Sequence, residues 1–195
     1  MRLLAFSDVH RDLAQAARLV DRAGAVDVVV AAGDFASVHR GLDELIDVLA
    51  AIETPTVLVA GNNETDAALR AACDGWRAAD VLHGNGMEIE GVAFFGLGGG
   101  VPVTPWAWSF DLTEDEAAGA LTGLPRGGVL VVHSPPKGYV DGPRRLGSQA
   151  VLEAVEQKQP RLVVCGHIHE AAGEQATIGA SRVVNVGPSG VVVDV

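Results

Sequence analysis

Residues 162–169 read Leu-Val-Val-Cys-Gly-His-Ile-His. The run of apolar and β-branched residues predicts a buried strand that Gly166 ends. If the backbone stays extended beyond this glycine, a period of two places the imidazoles of His167 and His169 on the same side. Imidazole is the commonest protein ligand for transition metals. Taken alone, the pair indicates either a metal site at the end of a strand or a surface turn that contains histidines.

The rest of the chain repeats this arrangement of an apolar strand followed by polar residues. Strands predicted over 3–6, 26–32 and 56–60 alternate with helical patterns, which is typical of parallel strands joined by right-handed crossovers. A later apolar run covers 129–132. The carboxyl ends of parallel strands meet at one edge of a sheet, so polar residues that follow them should lie together. These residues are Asp8, His10, Asp34, Asn62, His133, His167 and His169.

The middle and the end of the chain have a different pattern. Strands predicted over 87–90 and 92–96 flank Gly91 as a hairpin, and a glycine cluster at 96–100 opens a long loop. Residues 175–195 show strand and turn patterns without a helix. Because there is no linker or internal repeat, we expect a single α/β domain over residues 1–195.

Capping side chains mark the predicted helix starts. Asp12, Thr113 and Ser148 each precede a helical segment, and Glu116 completes a capping box with Thr113. The helix after Asp12 is predicted to bury Leu13, Ala16, Ala17 and Val20.

Composition and charge exclude several classes of protein. The chain has 195 residues, 48% of them hydrophobic, but no apolar run approaches the ~18 residues that span a bilayer. The first apolar run meets Asp8 too early for a signal peptide. We therefore expect a cytoplasmic protein with no membrane partner. The net charge of −11 lacks the basic footprint that a nucleic-acid backbone requires.

The two cysteines, Cys73 and Cys165, lie far apart and form no CxxC pattern. A zinc site built on thiolates is therefore not expected, and nothing in the pattern indicates an oxidising compartment.

Five ordered motifs resemble those of the calcineurin-like metallophosphoesterase superfamily. They are Asp8-Val9-His10, Gly33-Asp34, Gly61-Asn62, His133 and Gly166-His167-Ile168-His169. The resemblance covers residues 7 to about 190 and is strongest to the small bacterial and archaeal members. It implies a four-layer α-β-β-α sandwich, in which two mixed sheets are flanked by helices.

The resemblance also implies a site with two divalent metal ions. Asp8, His10 and His169 would hold the first ion, Asn62, His133 and His167 would hold the second, and Asp34 would bridge them. Two such ions clamp the oxygens of an in-line displacement and acidify water, so that hydroxide can attack phosphorus near neutral pH. Imidazole with carboxylate favours Mn, Fe, Co, Ni or Zn over Mg or Ca. We expect a small phosphodiester or phosphomonoester as substrate, with a nucleotide-like compound as one possibility.

The chain departs from the family pattern directly after Asn62. Larger members have a histidine there, whereas this chain has Asn63, which can donate a hydrogen bond but cannot transfer a proton. Loss of a general acid costs about 10²–10⁴ in rate with a poor leaving group. This leaves open a preference for diesters, or replacement of the acid by His39. The predicted catalytic set is Asp34, Asn62, Asn63 and His39, and the predicted substrate contacts are Arg11, Asn63 and His39.

Two tryptophans and one further histidine lie outside the five motifs. Trp106 and Trp108 could form an aromatic lip for a nucleobase or simply pack, and His83 is expected in a surface turn. A different class of function is the alternative for the whole protein, namely a metallophosphoesterase fold used as an interaction module, as in the retromer subunit of this superfamily. All seven ligand positions are filled here, which favours hydrolysis. The sequence leaves a homo-oligomer open.

Overall fold

A computed structural model describes residues 1–195 as two mixed β-sheets, five α-helices and one 3₁₀ turn. The strands are β1 (Arg2–Phe6), β2 (Val28–Ala31), β3 (Thr56–Leu58), β4 (Ala79–Val81), β5 (Asn85–Ile89), β6 (Val92–Leu97), β7 (Val129–Val132), β8 (Leu162–Cys165), β9 (Gln175–Ile178), β10 (Ser181–Asn185) and β11 (Val191–Asp194). The helices are α1 (Leu13–Ala23), α2 (Leu42–Leu49), α3 (Asp66–Ala72), α4 (Glu114–Leu121) and α5 (Gln149–Lys158), and the 3₁₀ turn covers His169–Ala171.

Parallel pairing aligns the strands that precede the predicted ligands. The first sheet has the order β11-β1-β2-β3-β4 and the second has the order β5-β6-β7-β8-β10-β9. In the first sheet, Val30 lies opposite Ala5 of β1 and Val57 of β3, both in parallel register. Strands β7 and β8 are parallel neighbours in the second sheet. Antiparallel strands β11, β5 and β9 occupy sheet edges. The carboxyl ends of β1, β2 and β3 therefore lie together, as do those of β7 and β8.

Three buried apolar layers hold the sheets and helices together. Alternate residues of each strand face opposite sides of its sheet: Leu3 packs between the two sheets, whereas Leu4 packs against α1 and α2. Val129 and Leu162 face the first sheet from the second. Helices α4 and α5 cover the outer side of the second sheet. The order of layers is helix, sheet, sheet, helix, which confirms the fold class that the resemblance implies.

The helix starts agree with the sequence, and the buried face of α1 agrees with it in part. Asp12, Thr113 and Ser148 each accept a hydrogen bond from a first-turn amide. The residues of α1 that are buried are Ala16, Leu19 and Ala23, and Leu13 is 45% exposed. Of the predicted face, Ala16 is buried and Val20 is partly buried against the core, whereas the prediction was wrong for Leu13 and Ala17, which are exposed. No helix is both long and apolar enough to cross a bilayer.

The hairpin strand and its neighbour also differ from expectation. Strand β5 begins at Asn85 rather than at residue 87, and β4 was not predicted. Strand β4 has only three residues, of which Asp80 is exposed. It forms because Thr56, Val57 and Leu58 of β3 offer a parallel edge, which is a tertiary contact without a local sequence pattern.

Candidate metal centre

The structure brings all seven predicted ligands into one connected group at the strand ends. Two sets of donor atoms share Asp34, and within each set the atoms lie within 4.8 Å of one another. One set contains Asp8, His10, Asp34 and His169, and the other contains Asp34, His133 and His167. The side-chain oxygen of Asn62 joins the second set, 3.3 Å from His133 Nε2 and 3.1 Å from His167 Nδ1. This grouping matches the division into two ion sites that the resemblance implies.

Asp34 lies between the two sets. Its Oδ2 is 3.4 Å from His10 Nε2, and its Oδ1 is 3.5 Å from His133 Nε2. The side chain is 3% exposed. A carboxylate with one oxygen facing each set can bridge two cations.

Backbone hydrogen bonds join the loops that follow β1 and β2. Asp8 N donates to the Gly33 carbonyl at 2.9 Å and His10 N donates to the Asp34 carbonyl at 3.0 Å. Asp8, His10, Asp34 and His167 all have positive φ, between 43° and 67°. Left-handed backbone at a residue with a side chain costs on the order of 1–3 kcal/mol and persists where the surrounding structure imposes it. Four of the seven candidate ligands thus depend on the fold for their conformation.

Two glycines of the motifs are required by close packing. A Cβ at Gly61 would overlap the backbone and carboxylate of Asp34, and a Cβ at Gly166 would overlap Ser7 and the carboxylate of Asp8. Both glycines therefore let a second strand end approach a candidate ligand.

The hydrogen bonds of the imidazoles show that the donor set fits cations. His133 Nδ1 lies 2.7 Å from the Ala32 carbonyl, and His10 Nδ1 lies 3.0 Å from the Ala36 carbonyl. A carbonyl only accepts, so each Nδ1 carries the hydrogen and the Nε2 of a neutral ring keeps its lone pair. Both Nε2 atoms face an oxygen of Asp34. Converging lone pairs repel one another, whereas a carbonyl on the far ring nitrogen is the usual support of a metal-binding histidine.

The His-x-His segment does not stay extended. His167 has a φ of +67°, and a 3₁₀ turn begins at His169. His167 N donates to both oxygens of Asp8, at 3.1 and 3.2 Å, and the Asn185 amide donates to the Gly166 and Ile168 carbonyls. These contacts turn the chain, so the expectation of two imidazoles on one side of a strand was wrong. Instead, His167 enters the second set and His169 the first.

Burial and neighbouring charges shift the pKa values of the candidate ligands in different directions. Burial opposes the charge of Asp8, but the hydrogen bond from His169, the charge of His133 and the Ser7 hydroxyl outweigh burial and lower the pKa of Asp8 to about 2. Burial, followed by the neighbouring charge of His133, lowers the pKa of His167 to about 3. Burial also lowers the pKa of His133, but the carboxylates of Asp34 and Asp8 outweigh it, and the net shift is upward.

Glu64 is a functional candidate that the sequence analysis missed. It is 1% exposed and accepts three backbone hydrogen bonds, from Asp34 N and Ala36 N at 2.9 Å and from Gly61 N at 2.6 Å. Burial and repulsion from Asp34 raise the pKa of Glu64 to about 7, against the effect of these amides. The residue fastens the loop of Asp34 to the end of β3. In the sequence, it resembles an ordinary acid at the start of α3.

A relay of side chains orients Asn62. Its Nδ2 donates to Ser109 Oγ at 2.9 Å, and Ser109 Oγ donates to Asp111 Oδ1 at 2.7 Å. The Asn62 oxygen is thereby directed at His133 and His167. The Asn62 carbonyl also accepts from Phe110 N at 3.0 Å. Ser109 and Asp111 lie in a loop of irregular structure, where no motif identified them.

Asn63 occupies the place where the family histidine was expected. Its backbone N donates to Asp34 Oδ1 at 2.9 Å and its Nδ2 donates to Asp34 Oδ2 at 2.8 Å. Its Oδ1 accepts from Val38 N at 2.9 Å. The amide is therefore committed to holding the carboxylate of Asp34.

The other predicted substrate contacts lie outside the lining of the cleft at the metal centre. His39 Nε2 donates to the Trp108 carbonyl at 2.5 Å, and His39 N donates to the Asn63 carbonyl at 2.9 Å. The side chain of Arg11 lies over Gly41. His83 is half-buried and accepts from Gly98 N at 3.3 Å, and burial lowers the pKa of His83.

A cleft of about 470 Å³ opens above the candidate ligands. Its floor includes His10, Asp34, Asn62 and His167, and its wall includes Trp106 and Trp108. A larger cavity of about 790 Å³ contains none of the seven candidate ligands; its lining includes Asp47 near the end of α2 and Trp76 after α3.

The sequence model of the calcineurin-like phosphoesterase superfamily domain matches residues 1–193. The chain therefore belongs to the calcineurin-like phosphoesterase superfamily, whose members normally use divalent metals.

Two relatives match part of the chain. Human metallophosphoesterase domain-containing protein 1 is 38% identical over 113 residues, which are 53% of this chain and 33% of that protein. A UPF0046 protein of Caenorhabditis elegans is 35% identical over 95 residues, which are 47% of this chain and 32% of that protein. The matched segments thus cover about a third of these relatives.

Solved structures share the fold at low identity. The protein TT1561 of Thermus thermophilus superposes with a TM-score of 0.79 at 20% identity, covering 96% of this chain and 90% of that chain. A dimetal phosphatase from Danio rerio gives a TM-score of 0.69 at 16% identity, covering 96% and 88%.

Proposed function

We propose that this protein is a dinuclear metal-dependent phosphoesterase that hydrolyses a small phosphodiester or phosphomonoester. The observation that carries the proposal is the position of Asp34, whose two oxygens face two separate sets of imidazole lone pairs. The superfamily membership and the phosphatase and phosphodiesterase named among the structural neighbours support a hydrolase.

The proposed ligands divide between the two ions as the two sets do. Asp8, His10 and His169 would hold one ion, Asn62, His133 and His167 would hold the other, and Asp34 would be shared between them. The mixture of imidazole, carboxylate and amide oxygen suits Mn, Fe, Co, Ni or Zn. Bound there, such ions supply positive charge for phosphoryl oxygens and an acidified water.

The cleft lining contains no cysteine, serine or lysine that could act as a nucleophile. Thr104 is the one hydroxyl residue of the lining, and its Oγ1 donates to Asp111 Oδ2 at 2.6 Å. Water is therefore the proposed nucleophile. Asn63 holds Asp34 in its bridging orientation through two donors, and Glu64 holds the backbone of the same residue.

No histidine lines the cleft other than the candidate ligands, and the one further acid of the lining, Glu170, lies 3.9 Å from the guanidinium of Arg144 at the rim. We therefore propose a preference for substrates with good leaving groups, diesters included. The roles of His39 and Arg11 toward substrate, the nucleotide-like substrate, the cytoplasmic location, the absence of nucleic-acid and membrane partners and the oligomeric state stay predictions.

Elemental analysis and one assay test the proposal. The purified protein should contain about two equivalents of transition metal and should cleave bis-p-nitrophenyl phosphate when Mn²⁺ is supplied. The control is the same preparation after chelation, which should lose turnover and recover it with Mn²⁺. Two bound metal ions without turnover on any phosphoester would contradict the proposal and favour the interaction module.

A further inference from the structure

The outer half of the cleft is apolar, in contrast to its floor. Six large hydrophobic side chains are exposed on the whole surface, and three of them, Val103, Trp106 and Leu146, line this one cleft. Trp106 is 51% exposed. Apolar surface gathered beside polar groups at a concave site is typical of ligand recognition.

Trp106 and Trp108 form a flat aromatic platform in this outer half. Their ring centroids are 5.6 Å apart and the ring planes differ by 10°. A stacked pair leaves the outer face of the exposed ring available to a further flat ring. Val103 and Leu146 line the same cleft.

The platform is fixed relative to the candidate metal ligands. Phe110 N donates to the Asn62 carbonyl, and Ser109 accepts from the Asn62 amide. At the other side, the Trp108 carbonyl accepts from His39. A group bound on Trp106 therefore has a defined position relative to a phosphoryl group at Asp34 and Asn62.

The rim of the cleft offers little free positive charge. Arg144 is the one lysine or arginine of the lining, and its guanidinium lies 3.9 Å from a carboxylate oxygen of Glu170. Because Glu170 offsets Arg144, the outer half favours an uncharged ring over one that carries a second anionic group.

We infer that the cleft is specific for phosphoesters in which the phosphoryl group is attached to a moiety bearing an uncharged, flat aromatic ring, and that Trp106 is the specificity-determining residue that stacks on this ring. The inference rests on the proposed function, since it places the phosphoryl group at the metal centre. The volume of about 470 Å³ lies in the range of small-ligand sites, which suits one ring and its phosphoryl group.

Paired inhibitors isolate the contribution of the ring. AMP and ribose 5-phosphate share the sugar and phosphate and differ by the base. Both serve as inhibitors in the initial-rate assay with bis-p-nitrophenyl phosphate. AMP should bind to the wild-type protein about tenfold more tightly than ribose 5-phosphate, since stacking on an aromatic side chain is worth about 5- to 150-fold in affinity. The ratio should fall to about one in Trp106→Ala and return in Trp106→Phe. Val192→Ala, an exposed truncation on β11, is the matched control and should keep the wild-type ratio.

A second pair tests the charge. Orotidine 5′-monophosphate is uridine 5′-monophosphate with a carboxylate on the ring, so it should bind more weakly. Tighter binding of orotidine 5′-monophosphate would show that Arg144 is free to bind an anion. The inferred preference for an uncharged ring would then be wrong.

The outcomes separate this inference from the proposed function. If bis-p-nitrophenyl phosphate is cleaved but AMP and ribose 5-phosphate inhibit equally, the aromatic subsite is wrong and the phosphoesterase stands. If nothing is cleaved, the affinities are measured by calorimetry. The Mn²⁺-loaded protein is titrated with the methylenephosphonate analogues of AMP and ribose 5-phosphate, which gives the ratio of the two affinities directly. A ratio that depends on Trp106 then supports the subsite although the phosphoesterase fails, and a ratio of one rejects both.

Discussion

His133 is fully buried, whereas His169 leaves 61% of its side chain exposed, although both belong to the same candidate centre. In the set around His133, the imidazole of His133 donates to the Ala32 carbonyl. The amide of Asn62 is held by Ser109, which directs its oxygen toward the set. The set around His169 is closed by an exposed 3₁₀ turn, and its other imidazole, His10, is 27% exposed. One half of the centre is thus formed with the core, and the other half is completed at the surface. Mutations that act on one half, or on both, test this difference.

Removal of Asp34 should abolish the difference between the halves and have the largest effect. Asp34→Ala takes a ligand from both sets, so both metal equivalents should be lost. Replacing a residue that only supports a metal ligand lowers metal affinity or activity about 10–100-fold. Loss of the shared ligand should therefore lower the turnover of bis-p-nitrophenyl phosphate more than 100-fold. Metal analysis alongside the assay checks this. Retention of two equivalents would show that Asp34 is not the bridge.

His133→Ala and His169→Ala should separate the halves. Truncation of buried His133 leaves the Ala32 carbonyl without its donor and opens a cavity, so the free energy of unfolding should fall by about 2–4 kcal/mol. Truncation of His169, which is mostly exposed and loses its contact with Asp8, should cost less, about 0.5–1.5 kcal/mol. Both variants should lose metal.

Urea unfolding of the metal-free proteins measures the difference between these two variants without the contribution of bound ions. Equal destabilisation by the two truncations would show that the halves are not built differently.

Glu64→Gln should weaken the support that both halves receive through Asp34. The amide places an NH₂ donor where a carboxylate oxygen accepts from a backbone N–H, and a buried unpaired donor costs about 1–3 kcal/mol. Urea unfolding measures the loss, and metal titration should show about tenfold weaker binding. Glu53→Gln, at an exposed position away from the centre, is the matched control. A Glu64→Gln protein as stable as the control would mean that the three amide contacts contribute nothing.

His39→Ala should have the smallest effect and act only at the open side of the cleft. Its Nε2 proton is used on the Trp108 carbonyl, so the substitution should raise KM a few-fold, while kcat with a p-nitrophenolate leaving group stays unchanged. Steady-state kinetics with an alkyl phosphodiester beside bis-p-nitrophenyl phosphate gives both constants. A kcat that falls by about 10²-fold or more for the alkyl ester alone would instead make His39 the missing general acid.

The strand ends could be predicted from the sequence because parallel βαβ units force polar residues such as Asp34 and Asn62 to one edge. The positions of the ligands follow from topology, which local patterns encode. The conformation between Gly166 and His169 could not be predicted, since it is imposed by Asp8 and Asn185 from distant parts of the chain. Strand β4 was hidden for the same reason.

The roles of residues that hold the backbone in place also could not be predicted from the sequence. Glu64 binds three amides whose positions depend on the left-handed turn at Asp34, and no spacing rule reports such a turn. In the sequence, Asn63 stood out only as a residue that cannot donate a proton to a leaving group. In the structure, it donates two hydrogen bonds to the carboxylate of Asp34 and holds it in place.

The main chain of Asn62 receives a hydrogen bond from Phe110 while its side chain faces two imidazoles. A single residue thereby joins the floor of the cleft to the loop that carries the tryptophans. Grafting residues 101–110 from a relative, in order to exchange substrate preference, would consequently disturb metal loading as well. Redesign of this cleft should treat that loop and its anchoring asparagine as one transferable unit.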